Sequence, residues 1–242
     1  MSWIEELVTA AHGDLEDEHR EALWNRGVSE TQIRDYRLGY LGRNIPDLGY
    51  PDKFLRWYDR NLSQLQDVFL FPLTTPLGDV RGLQVRSVSP DRKGYLDYIG
   101  YKEEPVFFGL SQAMPAVWAT QTVVLVEGAF DLFPIQRHFP GCVATLHAGV
   151  PPGLWRIFRR MVQQIWLIYD NDATGRKVSY DILKKYRDTF DIKIFKYPNI
   201  RMGGKPVKDP ADLWKIWGDE HFGVSIRSQL DPFGEINAER IL

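Results

Sequence analysis

Apolar and polar positions alternate in two different ways along this 242-residue chain. From residue 3 to 36 the spacing is helical. Trp3, Ile4, Leu7 and Val8 form one stripe, and Leu15, Ala22 and Leu23 suggest a second helix that Gly27 stops in a C′ role. Ser29-Glu30-Thr31-Gln32 has the form of a capping box and opens a short helix through Ile33 and Tyr36. Gly39 to Pro51, with its prolines and glycines, predicts a loop, and Asp52 to Leu62 a helix with Phe54, Leu55 and Tyr58 on one side. Near Val68 the character changes. Phe69-Leu70-Phe71-Pro72-Leu73, a turn at Pro76-Leu77-Gly78-Asp79 and the run Val80 to Arg86 predict a hairpin, continued by strands at Tyr95–Ile99 and Val106–Phe108.

From Val123 onward, short apolar runs alternate with helical segments. Strands are expected at Val123–Glu127, Cys142–Leu146, up to Tyr169, and at Asp191–Tyr197. Helices are expected at Phe130–His138, Leu154–Gln163, Arg176–Phe190 and Pro210–Trp217. Such alternation implies an α/β domain, a mostly parallel sheet with helices on both faces. A smaller α+β unit precedes it. The expected boundaries are 1–117 for the first unit, 118–215 for the α/β domain and 216–242 for a C-terminal tail.

Two of the apolar runs end abruptly in carboxylates. Val123-Val124-Leu125-Val126 is followed by Glu127-Gly128 and then Asp131; Ile165-Trp166-Leu167-Ile168-Tyr169 is followed by Asp170-Asn171-Asp172 and then Gly175. Ligands of open α/β sheets bind in the crevice at the carboxyl ends of the strands. Carboxylates converging there repel one another unless a hard cation sits between them. Alternate side chains of extended backbone share a face, so Asp170 and Asp172 can grip one ion. Each group also has a plainer reading. Glu127 and Asp131 can serve a helix N-terminus, and Asp170-x-Asp172 can form an Asx-turn. In Lys208-Asp209-Pro210, Asp as N-cap and Pro at the first helical position need no metal.

Charge and composition narrow the chemistry only a little. Thirty basic against 32 acidic side chains leave a net charge of −2, which does not advertise a nucleic-acid binder, although Arg81, Arg86, Arg92, Lys93 and Lys102 give the middle of the chain a local basic excess. Arg86, Lys93 and Lys102 are candidates for holding template or nucleotide phosphates, and Arg176 opens a helix beside the second acidic cluster. Alone, the basic residues read better as an ordinary solvated hairpin surface. Cys142 is the single cysteine, which excludes an intrachain disulfide and a Cys-based zinc site. The five histidines lack metal-ligand spacing, and no run is apolar enough to cross a bilayer. A soluble, cytoplasmic protein with no membrane partner is expected.

Together, Glu127-Gly128-x-x-Asp131, Asp170-x-Asp172-x-x-Gly175 and Lys208-Asp209-Pro210 resemble the Toprim fold of primases, topoisomerases, OLD nucleases and recombination proteins. The flanks are similar to the DnaG-type primase polymerase core: Leu23-Trp24-Asn25-Arg26-Gly27-Val28-Ser29-Glu30 through Leu38-Gly39-Tyr40, then Phe71-Pro72-Leu73 with Gly78, Val80, Gly82 and Arg86, then Tyr95-Leu96 and Phe108-Gly109-Leu110. Colinear matches run from about residue 20 to 215. The resemblance implies a primase making short RNA primers on single-stranded DNA from ribonucleoside triphosphates with Mg²⁺ or Mn²⁺. It implies Glu127 as acid/base or metal organiser, Asp170 and Asp172 as main metal ligands, Asp131 and Asp209 as outer ones, and Arg86 on phosphates. The chain departs from the pattern at Gly94, where the core has lysine, and at Ala211, where an acid falls one position later as Asp212. A zinc-binding module and a replicative helicase would then act from other chains or be absent. A Toprim nuclease and a non-catalytic DNA-binding module are the alternative classes.

Overall fold

The structure, a computed structural model, describes residues 2–42, 45–61, 63–89, 95–99, 107–146 and 152–230. The chain divides into two units, Met1–Gln112 and Ala113–Leu242.

In the first unit, helix α1 (Trp3–Gly13) buries Ile4, Leu7, Val8 and Ala11, the i, i+3, i+4, i+7 stripe of an amphipathic helix. Helix α2 (Asp17–Trp24) follows, and α3 (Glu30–Asp35) opens with the expected capping box. Ser29 Oγ accepts from the Gln32 amide at 3.2 Å, and Gln32 Oε1 accepts from the Ser29 amide at 3.0 Å. Strand β1 (Gly39–Leu41) corrects the expected loop. It is only three residues long and pairs antiparallel with Val68–Leu70, so its evidence lies in a partner far along the chain. Helix α4 (Asp52–Asn61) then leads to β2 (Val68–Thr74), β3 (Val80–Ser87) and β4 (Tyr95–Ile99), giving an antiparallel sheet in the order β1-β2-β3-β4. Pro72 is tolerated in β2 because it lies past the end of β1, where that side of the strand is an edge. Leu70, Leu83, Val85 and Phe54 join the α1 stripe in the core, with Trp3, Tyr50, Trp57 and Tyr98 rings around Phe54.

Helix α5 (Leu110–Thr120) carries the chain into the second unit. Its internal Pro115 hides it from a periodicity reading. The second unit then alternates β5 (Thr122–Val126), α6 (Ala129–Gln136), β6 (Cys142–Ala144), α7 (Pro152–Phe158), β7 (Gln164–Ile168), α8 (Ala173–Tyr186) and β8 (Asp191–Ile194). These strands form a parallel sheet in the order β6-β5-β7-β8. A two-residue ribbon, β9 (Arg201–Met202) with β10 (Lys205–Pro206), precedes helix α9 (Pro210–Leu230). The first part of α9 ends at Trp217 as expected, because Gly218, at φ 71° and ψ 170°, is not helical; a second helical stretch follows to Leu230 and buries Phe222, Ile226 and Leu230.

Cys142, Trp155, Phe158 and Trp166 are buried, as a structural role requires. Val123–Val126 and Ile165–Ile168 are almost wholly buried, and each such side chain contributes on the order of 1.5–3 kcal/mol. Two strands with that much burial can hold unfavourable chemistry at their ends. Among the described residues no helix is long and apolar enough to cross a membrane.

Candidate metal centre at the carboxyl edge of the parallel sheet

The strand order places the site. The chain leaves β5 for β6 on one side and returns to β7 on the other, so the connections diverge between the carboxyl ends of β5 and β7. That is a topological switch point, where a crevice must open. Val126 and Ile168 are register partners, so Glu127 follows β5 at the level at which Tyr169 and Asp170 follow β7.

Five carboxylates gather here, and Asp170 is their common neighbour. Glu127, half-buried, is pushed above its ordinary value by burial and then by the charges of Asp170 and Asp172, with Lys208 opposing. Asp131 lies in the first turn of α6 and is only 9% exposed. Burial, Asp209 and Asp170 raise it well above the usual carboxylate range, although the backbone of Gly128 and of Ala211 both bond to it. Asp209 is raised by burial and by Asp212 and Asp170, against a backbone bond from Asp212 and the charge of Lys208. Like charges held in a partly dry crevice explain all three shifts.

The helix-capping reading and the acidic cluster coexist. Asp172 caps α8, its Oδ1 accepting from the Gly175 amide at 2.9 Å, and Asp209 caps α9, its Oδ1 accepting from the Asp212 amide at 2.8 Å. Each cap uses one oxygen. Gly175 is required by close approach, since a Cβ there would stand 2.2 Å from the Asp170 carbonyl oxygen.

Three residues at the site carried no role in the sequence reading. Asn171 joins the loop after β7 to the segment before α9. Its amide donates to Lys208 O at 2.6 Å and its Nδ2 to Val207 O at 3.0 Å. Lys208 then reaches Asp170 Oδ2 at 2.8 Å and Asp172 Oδ2 at 3.9 Å. The Tyr197 hydroxyl is buried without a hydrogen-bond partner and feels the charges of Asp131, Asp170, Asp209 and Asp212. Lys208 was visible as part of Lys208-Asp209-Pro210. Asn171 and Tyr197 carry no motif signal that marks them.

Among the described residues, no three His, Cys, Asp or Glu side chains converge into a ready-made metal cage; Asp170 and Asp172 turn to Lys208. The donor set nevertheless fits a hard divalent cation. It is all oxygen, the acids raise one another's affinity for positive charge, and the buried Tyr197 hydroxyl lacks a partner that a hydrated ion would supply. Of the basic candidates, Arg176 folds back on Asn171, its Nη1 donating to the Asn171 carbonyl at 2.9 Å and Oδ1 at 3.2 Å. Arg86 lies half-buried on β3 of the first unit. Lys93 and Lys102 lie outside the described residues.

The parallel sheet has acids on either side of its switch point and an acid-capped helix beside them, and residues 124–213, which contain this arrangement, match the Toprim-like family. The chain as a whole has the fold of a DnaG-type primase catalytic core. It is 25% identical over 231 residues to the DNA primase of Treponema pallidum, an alignment covering 88% of this chain and 37% of that protein. It superimposes on the RNA polymerase domain of Mycobacterium tuberculosis primase DnaG with a TM-score of 0.73 at 17% identity, covering 94% of this chain and 81% of that one. A DnaG primase catalytic domain bound to single-stranded DNA gives a TM-score of 0.70 at 18% identity, covering 94% and 80%. The chain thus spans little more than a third of the Treponema primase's length.

Proposed function

We propose that this chain is a primase core that joins ribonucleotides into short RNA primers on a single-stranded DNA template. The observation that carries the reading is the extent of the likeness. The match to a DNA primase runs over 88% of the chain, through the antiparallel first unit as well as the Toprim-like residues 124–213. A Toprim nuclease would need only the second.

In this reading Asp170 and Asp172, with Glu127, Asp131 and Asp209, hold Mg²⁺ or Mn²⁺. The cation's contribution is to acidify the attacking 3′-hydroxyl and to neutralise the leaving pyrophosphate. The 3′-oxygen attacks the α-phosphorus of the incoming ribonucleoside triphosphate, the bond between the α-phosphorus and the bridging oxygen breaks, and pyrophosphate departs with that electron pair. Glu127 accepts the hydroxyl proton. In the metal-free protein its carboxyl is raised above its ordinary value by burial and by the charges of Asp170 and Asp172, the direction that favours holding a proton. Arg86, Lys93, Lys102 and Arg176 are assigned to nucleotide and template phosphates, with the basic charge acting independently of sequence. A replicative helicase and a zinc-binding protein are partners to be sought in the same assays.

The test is to incubate the protein with circular single-stranded DNA, labelled ribonucleotides and Mg²⁺ or Mn²⁺, beside an Asp170→Asn/Asp172→Asn control. Short labelled RNA that disappears in the control is the expected result. Linearised circles without RNA would replace the reading with a nuclease. DNA retained with neither product would point to a binding module.

A further inference from the structure

Lys208 combines an anchored backbone with an exposed, ion-paired head. Its carbonyl accepts from the Asn171 amide at 2.6 Å, and neighbouring Val207 is tied through its amide to Ile200 O at 3.1 Å and through its carbonyl to Asn171 Nδ2 at 3.0 Å. The side chain is 58% exposed, whereas the Asp170 side chain that it contacts is 11% exposed. An ammonium on a flexible four-carbon stem can therefore leave Asp170 without disturbing the loop that carries it.

The ammonium also sits beside carboxylate oxygens that a cation held by Asp170 and Asp172 would need. Asp172 has committed Oδ1 to the Gly175 amide, and its remaining Oδ2 lies 3.9 Å from Nζ. Asp170 Oδ2 is 2.8 Å from the same nitrogen. A divalent ion taking these oxygens would meet a like charge at contact distance, so both cannot stay.

We propose that Lys208 is a tethered counter-cation, which neutralises the Asp170–Asp172 pair in the metal-free protein and surrenders those oxygens when a divalent cation binds. This rests on reading the carboxylates as a cation site. It gives the lysine a definite sign of effect: it keeps the repelling acids together for folding and weakens their affinity for metal.

Mn²⁺ binding to the full chain, followed by the electron paramagnetic resonance of free Mn²⁺ with no nucleotide or DNA present, separates the two ideas. The proteins compared are wild type, Lys208→Gln, Lys208→Arg and Asp170→Asn/Asp172→Asn. Lys208→Gln is expected to bind Mn²⁺ about three- to tenfold more tightly, the order expected for removing a half-exposed competing ion pair. It should also melt below wild type in chelator and recover that difference at saturating Mn²⁺, by mass action. Lys208→Arg, which keeps the charge, should stay near wild type. Equal or weaker binding by Lys208→Gln while wild type binds overturns the counter-cation role and leaves the cation site standing. Absence of Mn²⁺ binding to wild type, or equal binding by the double variant, overturns the cation site and this role with it.

Discussion

The two ends of the parallel sheet were built to opposite rules. At the amino end, a cavity of about 300 Å³ lies among Thr122, Val124, His138, Phe139, Gln164, Trp166 and Arg227, and several of its polar groups pair with one another, although His138 Nε2 is buried without a hydrogen-bond partner. Trp166 Nε1 donates to Gln164 Oε1 at 2.8 Å, Gln164 Nε2 donates to Asp191 Oδ2 at 2.7 Å, and Arg227 bonds to His138 O and lies over the Phe139 ring. At the carboxyl end, Glu127, Asp131 and Asp209 are each raised by burial and by neighbouring acids. The same buried strands support both ends. Local frustration tolerated at one end, where relaxation was available at the other, is the mark of a site kept for chemistry.

The largest effect is expected from Gly175→Ala. The new Cβ would meet backbone, 2.2 Å from Asp170 O and 3.0 Å from its N and C, so the start of α8 and the acidic loop must separate. A loss of about 3 kcal/mol in urea unfolding is expected, together with loss of the proposed primer synthesis. A variant that unfolds like wild type would show that the close approach is not needed.

Gly223→Ala makes the matching change at the amino end, where a Cβ would stand 2.3 Å from His138 Nδ1. Because a side chain rather than backbone must yield, about 2 kcal/mol is expected to be lost. Activity measured below the melting transition should be unchanged, and a fall there would tie the two ends together.

Glu127→Gln removes one charge from the repelling set. Activity should fall at least a hundredfold, the scale of a lost acid/base group. Metal-free stability at neutral pH should rise by about 0.5 kcal/mol, a figure kept small by solvent screening at a half-buried carboxylate. The pH dependence gives the sign independently. A raised carboxyl contributes stability that is fully present below its ordinary value, 4.5 for Glu127, and is lost as pH rises through the raised folded value. Wild type minus Glu127→Gln melting temperatures, taken without metal, should therefore decline as pH increases from that value towards neutrality. A flat difference would mean that Glu127 is not held near Asp170 and Asp172.

Asn171→Ala is the mildest change, costing about 1 kcal/mol for one side-chain hydrogen bond to Val207 O. Faster amide exchange at Val207, with α8 unaffected, is the signature to look for in hydrogen exchange.

Much of this architecture could be read locally. The capping box at Ser29 and Gln32 depends on contacts three residues apart, and the hairpin from Val68 to Ser87 and the strand–helix alternation after Thr122 show in the local spacing of apolar and turn residues, which periodicity reports directly. Strand β1 could not be read that way, since Gly39–Leu41 becomes a strand only against Val68–Leu70. Pro115 was unhelpful for another reason: it discourages helix locally, and in α5 tertiary packing overrides that preference. At Gly218 the local preference held, and the helix from Pro210 stops before it.

The sequence by itself determined that buried strands end in carboxylates, because an apolar run followed by Glu127 or by Asp170 and Asp172 leaves those side chains only the strand ends. It also determined the caps at Asp172 and Asp209, which are settled by bonds three residues long. Only the tertiary structure decided which acids face one another. Asp170 became the shared neighbour because β7 sits beside β5 across the switch point and Asn171 draws Lys208 and Asp209 to the same edge. Electrostatic coupling depends on distance through space, and distances of that kind are set by strand order and not by position along the chain.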